Sequence, residues 1–281
     1  MHTTRSRKRS KSWTPKLLIG LGGIVLVWLV ISVSAAYIIR ANREVISTEI
    51  SRIASLPEAD RQVALQKLVV ATGHDQQASR ALADYYISRG DYQLAAEAYL
   101  AAQPELRVES AQAYAQAYNF KKTYDLLNID TSAAKGDDWR ALKQRASLNL
   151  NPNDLKACDE ISTKSAFDTL RDACTILKNQ QADTKDIYRL VELGFPLVAA
   201  SKLESQKATS STDYILIAQI YARKGDTDKA VSTLEAGFTL IPYDKQVLTE
   251  ALRTLKQAKK STEADELQKQ IDSNLNILTP Q

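Results

Sequence analysis

The chain has 281 residues, of which 44% are apolar and 25% charged, with nine glycines and seven prolines. That is length for one large or two ordinary domains, too little glycine and proline for a β-sandwich with its many tight turns, and enough Ala, Leu, Gln, Lys and Glu to predict an all-α chain. The formal net charge of +4 arises wholly in the first sixteen residues, where six of the 37 basic side chains sit without an acid; residues 40–281 hold the other 31 against 33 acids, a net of −2, so the basic balance is no argument for a nucleic-acid-binding domain.

In chain order, residues 1–16 form a basic tail carrying Arg5, Arg7, Lys8, Arg9, Lys11 and Lys16. The next 23 residues, 17–39, read LLIGLGGIVLVWLVISVSAAYII and hold no charge. As a helix this run is about 34 Å long, slightly more than a ~30 Å hydrocarbon layer. Trp13 and Tyr37 stand near its two ends, where interfacial aromatics are favoured. The excess of Lys and Arg on the amino-terminal side predicts a cytoplasmic tail, a single transmembrane signal anchor and an extracytoplasmic remainder. Ser32, Ser34 and Ala36 also offer small residues at the spacing of a cleavage site, so a cleaved signal that releases a soluble module stays open. A cytosolic placement of the carboxyl-terminal part is a further alternative. The tail can also meet anionic lipid headgroups, at ~1 kcal/mol per basic residue.

Residues 40–74 are expected to form juxtamembrane helices that break near Leu56-Pro57, because proline suits a first helical turn. Residues 75–276 follow a different logic. In YILIAQIYARKGDTDKAVSTLEAGFTLIP, residues 214–242, Tyr214, Ile217, Ala218 and Tyr221 fall at i, i+3, i+4 and i+7, one face of a helix. Gly225-Asp226 predicts its end. Ala230, Leu234 and Gly237 line a second helix, and Pro242 stops it. The small residues let the two helices approach, and the large ones fill the seam.

The pattern recurs in 79–104 with Leu82-Ala83, Tyr86, Gly90-Asp91, Ala95, Tyr99 and Ala102. It is looser in 107–127 (Ala111, Tyr114, Phe120, Thr123, Leu127) and in 139–161 (Trp139, Leu142, Ala146, Leu155, Ile161). Residues 167–193 give Phe167, Leu170, Cys174 and Ile187, and 248–271 give Leu248, Ala251-Leu252, Leu255, Ala264 and Ile271. Residues 196–207 read as an extra helix between units, and 277–281 as a short tail. The spacing resembles the tetratricopeptide repeat, a 34-residue helix–turn–helix unit. It departs from that pattern at Ala218, where glycine is usual, and at Leu234, where phenylalanine is usual. The resemblance implies a right-handed curved solenoid in which each hairpin stacks on its neighbours, because none can bury its apolar face alone. The competing reading is an irregular all-helical bundle.

Nothing points to catalysis. His2 and His74 are the only histidines, and no Walker loop, GxGxxG or GxSxG is present. The many carboxylates alternate with Lys and Arg as solvated helix faces do. Neither cofactor nor metal is expected, and chemistry in the irregular region 180–210 is a minor alternative, as is an accessory role to an envelope enzyme or secretion complex. The family's inner groove usually holds a peptide or a partner helix. Carried over by position, it would present Arg80, Asp84, Gln112, Gln116, Arg140, Gln144, Gln219, Arg223, Arg253 and Lys256. The Lys and Asn with which some members clamp a terminal carboxylate are replaced here by Arg80 and Asp84. In such an array Cys158, on the second helix of one hairpin, would face Cys174, on the first helix of the next. Outside the cytoplasm they can form a disulfide; otherwise they are two small apolar core residues. The expected role is a non-catalytic scaffold or adaptor that binds a protein partner at the outer face of the membrane. The layout resembles that of membrane-anchored, chaperone-like repeat proteins of the bacterial cell envelope.

Overall fold

A computed structural model of the protein describes residues 42–129, 136–151, 154–159, 161–179, 182–240, 244–257 and 260–278. The expected anchor at 17–39 and its basic tail lie outside these residues, as does Pro242. No helix among the described residues is long and apolar enough to cross a membrane. The described residues are helices and turns without strands, so the protein is all-α. They divide into two compact units, one ending at Thr72 and the other beginning at Gly73.

The first unit holds α1 (42–54) and α2 (Glu58–Ala71). Pro57 immediately precedes α2, with an extended backbone that starts the helix, and Glu58 and Asp60 sit in the first turn, where the helix dipole favours acids. Ile46, Ile53, Leu65 and Val69 are buried.

The second unit is a succession of helical hairpins. Its helices are α3 (Gln76–Ser88), α4 (Tyr92–Ala101), α5 (Arg107–Gln116), α6 (Phe120–Ile129) and α7 (Asp137–Leu150). They continue as α8 (Asp168–Lys178), α9 (Thr184–Glu192), α10 (Pro196–Ser205), α11 (Ser211–Lys224), α12 (Thr227–Leu240), α13 (Lys245–Gln257) and α14 (Ser261–Leu278). Helices α3 to α7 each pack on the next, and α8 to α14 do the same.

One turn geometry repeats along the array. Asp91 donates its backbone N–H to Tyr86 O (2.9 Å), Asn119 to Tyr114 O (2.9 Å), Phe195 to Leu190 O (2.7 Å), Asp226 to Tyr221 O (2.9 Å) and Lys260 to Leu255 O (3.0 Å). This is the six-to-one bond that closes a helix through a left-handed residue. Gly90, Gly194 and Gly225 supply that residue at φ +79°, +89° and +87°. Tyr118 takes the same role at φ +58°, a conformation costly for a side chain of its size.

Small residues hold the helices close. Ala83, Ala95, Ala96, Ala111, Ala218 and Ala230 are fully buried. A Cβ on Gly237 would lie 2.7 Å from the Tyr214 ring, so glycine is what lets α12 meet α11. Polar groups fix the register between neighbours. Ser110 Oγ donates to Ala96 O (2.8 Å), and Thr123 Oγ1 to Ala111 O (3.3 Å). Ser210 and Asp213 form a reciprocal capping box on α11. Buried Asn149 donates to Gly194 O (3.0 Å) and accepts from Leu197 N (3.3 Å), tying α7 to the turn between α9 and α10.

The middle of the array departs from the expected units. Residues 155–158 form only a 3-10 turn, not a second helix for α7. Cys158 therefore ends a turn, and its disulfide to Cys174 on α8 joins an irregular segment to a helix, with Cα atoms 5.6 Å apart. The expected 167–193 hairpin is present as α8 and α9, which touch, but α9 packs more extensively on α10. The helix foreseen as an extra between units is thus the second half of a hairpin, and it packs on α7 and α11 as well.

Two stability measurements follow. Replacing both cysteines by serine (C158S/C174S) should lower stability by about 3 kcal/mol, the chain-entropy value for a loop of this size. Reductant should lower the thermal midpoint of the native chain and leave that of the double variant unchanged. Gly237→Ala gains up to ~1 kcal/mol of helix propensity but overpacks Tyr214, at a cost of about 1–3 kcal/mol. Urea unfolding should show a net loss, and an unchanged midpoint would contradict the close approach of α11 and α12.

Candidate partner-binding cavity

Helices α5, α7 and α11 surround a cavity of about 450 Å³, completed by the turns at Tyr118 and Gly194 and by Ala166. Asp138, Ala141, Leu142 and Arg145 line it from α7, at i, i+3, i+4 and i+7, one helical face. Gln112, Ala115 and Gln116 line it from α5, Tyr118 and Phe120 from the turn into α6, and Arg223 from α11.

Arg223 links distant parts of the chain. Its Nε donates to Gln116 O at 2.7 Å. Its guanidinium carbon lies 4.7 Å from the Tyr92 ring centre and 4.6 Å from that of Tyr118. The Tyr118 ring is parallel to Phe120, with centres 6.3 Å apart. A carboxyl-terminal helix is thereby fastened to the α5–α6 turn, more than a hundred residues earlier. The left-handed backbone of Tyr118 sits at this junction, where strained residues tend to be functional.

Arg145 is the unusual member. Its Nη2 donates to Thr169 Oγ1 at 2.9 Å, but its buried Nε meets no acceptor, and it forms no ion pair among the described residues. Burial alone pushes this guanidinium below the usual arginine range. Gly194 makes room for it, since a Cβ there would stand 3.2 Å from Arg145 Cδ. Arg145 as a whole is half-buried, and the side chain belongs to the cavity wall.

Of the groove residues expected from sequence, only Gln112, Gln116 and Arg223 meet at this cavity. Arg223 is not a free groove cation, because it is held by Gln116 and two tyrosines. Arg80 bridges α3 to α5 through Glu109 at 2.5 Å. Asp84 accepts from Tyr99 Oη at 2.9 Å; burial, and then this bond, push the Tyr99 hydroxyl up to about 12. Arg140, exposed, and Gln144, half-buried, stand on α7 without lining the cavity, as does exposed Gln219 on α11. Arg253 pairs with Glu250 on α13, where Lys256 is also exposed. Sequence reasoning missed Arg145, Asp138 and Tyr118. A signal existed for Arg145: it lies three residues after Leu142, a charge on the face that Leu142 and Ala141 mark as apolar.

A second cavity of about 530 Å³ lies between α12, α13 and α14, with an apolar floor that includes Leu234, Val247 and Leu255. Among the described residues no three His, Cys, Asp or Glu side chains gather as metal ligands would. No protein-family model, curated protein or solved structure matches the chain.

Arg223→Gln should destabilise the second unit by about 1–2 kcal/mol, the sum of two cation–π contacts of ~0.5–1 kcal/mol each. It should also speed amide exchange in the 117–119 turn. Unchanged urea stability together with unchanged exchange would show that the fastening contributes nothing.

Proposed function

We propose that the chain is a non-catalytic, membrane-anchored scaffold of tetratricopeptide-like hairpins, which binds a protein or peptide partner at the extracytoplasmic face of the membrane. The observation that carries this reading is the open cavity of mixed polar and apolar lining between α5, α7 and α11. Its amides and guanidinium groups come from α5, α7 and α11, a few polar groups among apolar ones as in a recognition pocket. The repeated turn geometry and the buried alanines at the seams support the family resemblance. The compartment is supported by two features. An apolar run behind a basic tail is the pattern of a signal anchor with its tail inside, and a disulfide between Cys158 and Cys174 is the bond an oxidising compartment sustains.

The test is site-directed photocrosslinking in native membranes. A photoreactive amino acid at position 112 should give a discrete protein adduct, and one at position 219, exposed on α11 outside the cavity, should not. The mass of the crosslinked chain should include residues 1–36. Absence of an adduct, or the same adducts from both positions, would remove the cavity as a partner site; a chain shortened near Ala36 would remove the anchor.

A further inference from the structure

We infer that the trough between α12, α13 and α14 takes a cationic amphipathic helix, a segment whose apolar stripe is flanked by lysine or arginine. This goes beyond the reading above, because it is a second surface, apart from the cavity between α5, α7 and α11. It also lies outside the groove that the family resemblance implies. That groove is lined by the first helix of each hairpin, whereas two walls of this trough are the second helices α12 and α14.

Three observations converge. The first is an opening in the packing. Among the described residues α12 and α14 each pack on α13, and no comparable packing joins them to each other. The space of about 530 Å³ left between them is floored by Val247, Ala251 and Leu255 of α13, all buried, with Leu234 of α12 beside them and half-buried Phe238 and Leu267 on the two walls. The second is the charge on the rims. Glu235 stands on the α12 side and Glu263 and Glu266 on the α14 side, all three exposed. Lys260 is the only cation in the lining, and it is already paired with Asp228. An apolar floor between two acidic rims is complementary to an apolar stripe between two cationic flanks. The third is the period of the wall. Val231, Leu234, Glu235 and Phe238 line it from α12 at i, i+3, i+4 and i+7, a straight wall of about two turns, ~11 Å long. A helix laid along it meets the floor with residues at the same spacing, whereas an extended segment would turn every second side chain away.

The test uses the full-length chain in nanodiscs of uncharged phosphatidylcholine, with empty discs as the reference for lipid binding. The probes are three fluorescent helical peptides. The first has leucines at i, i+3, i+4 and i+7 and lysines on both flanks. The second has glutamates in place of the lysines, and the third keeps the lysines but has alanines in place of the leucines. The lysine–leucine peptide should bind about tenfold or more tightly than either control, as a buried apolar stripe and several rim charges acting together imply. Its affinity should fall with added salt. Glu263→Gln with Glu266→Gln should weaken it about threefold. Leu248→Arg places a cation in the trough and should abolish binding. Glu235→Lys with Glu263→Lys reverses both rims at exposed positions and should pass the preference to the glutamate peptide; it decides the matter if the Leu248 variant does not fold.

The inference is overturned if the lysine–leucine peptide does not bind, if the alanine control binds as tightly, or if reversal of the rims leaves the preference unchanged. It is also overturned if the chain sediments as a dimer that Leu248→Arg dissociates, since a second copy would then fill the trough. A protein adduct at position 112 alongside failure of the peptide would overturn this inference and leave the scaffold reading intact. Peptide binding in the trough without any adduct would remove the cavity as a partner site and leave this inference standing.

Discussion

The second unit depends on one constraint: helices of nine to eighteen residues cannot bury their apolar faces unless they come very close to a neighbour. Short isolated helices are marginal in water, so their stability is tertiary. The seams therefore carry Ala83 against α4, Ala218 and Ala230 between α11 and α12, and Gly237 under the Tyr214 ring. Larger side chains at these points would part the helices and leave Tyr86, Tyr99 or Tyr221 without the burial they now have. The left-handed turn serves the same end. It reverses the chain in two or three residues, so each helix meets its partner over its whole length.

This explains which parts of the fold were legible from sequence. Where a turn uses glycine and the seam uses alanine, as at Gly90 with Ala83 and Ala95 or Gly225 with Ala218 and Ala230, composition and spacing reveal the hairpin. The α5–α6 turn has identical backbone bonding, but Tyr118 occupies the left-handed position, and the pattern there is faint. The middle was misread because Cys158, Leu155 and Ile161 have helical spacing on paper. In space residues 155–158 form a 3-10 turn, held by the disulfide and by the packing of α8. A covalent crosslink can replace the burial that a regular helix would have provided, and it leaves no trace in periodicity.

The cavity was less legible than the fold, for a related reason. Positions carried over from a regular array assume that inner faces point into an open groove. Here Arg223 is drawn across to Gln116, Tyr92 and Tyr118, and Arg80 and Asp84 are spent on helix-to-helix contacts. The residue that stands out physically, Arg145, does so through a buried Nε that meets no acceptor. Those properties depend on Gly194 and Thr169, which are distant in sequence.

The Arg223 fastening also has a mechanical side. An array of stacked hairpins behaves like a spring wherever each unit touches only its neighbours. Joining α11 back to the α4–α6 region with a cation held between two aromatic rings turns that stretch into a closed hoop. Tension between Tyr92 and Arg223 must break the hoop before the spring can lengthen, whereas α12, α13 and α14 lie beyond it and keep their compliance. A pull on the chain would therefore meet the Arg223 contacts over the stretch that lines the cavity and no such cross-link beyond α11 among the contacts of Arg223.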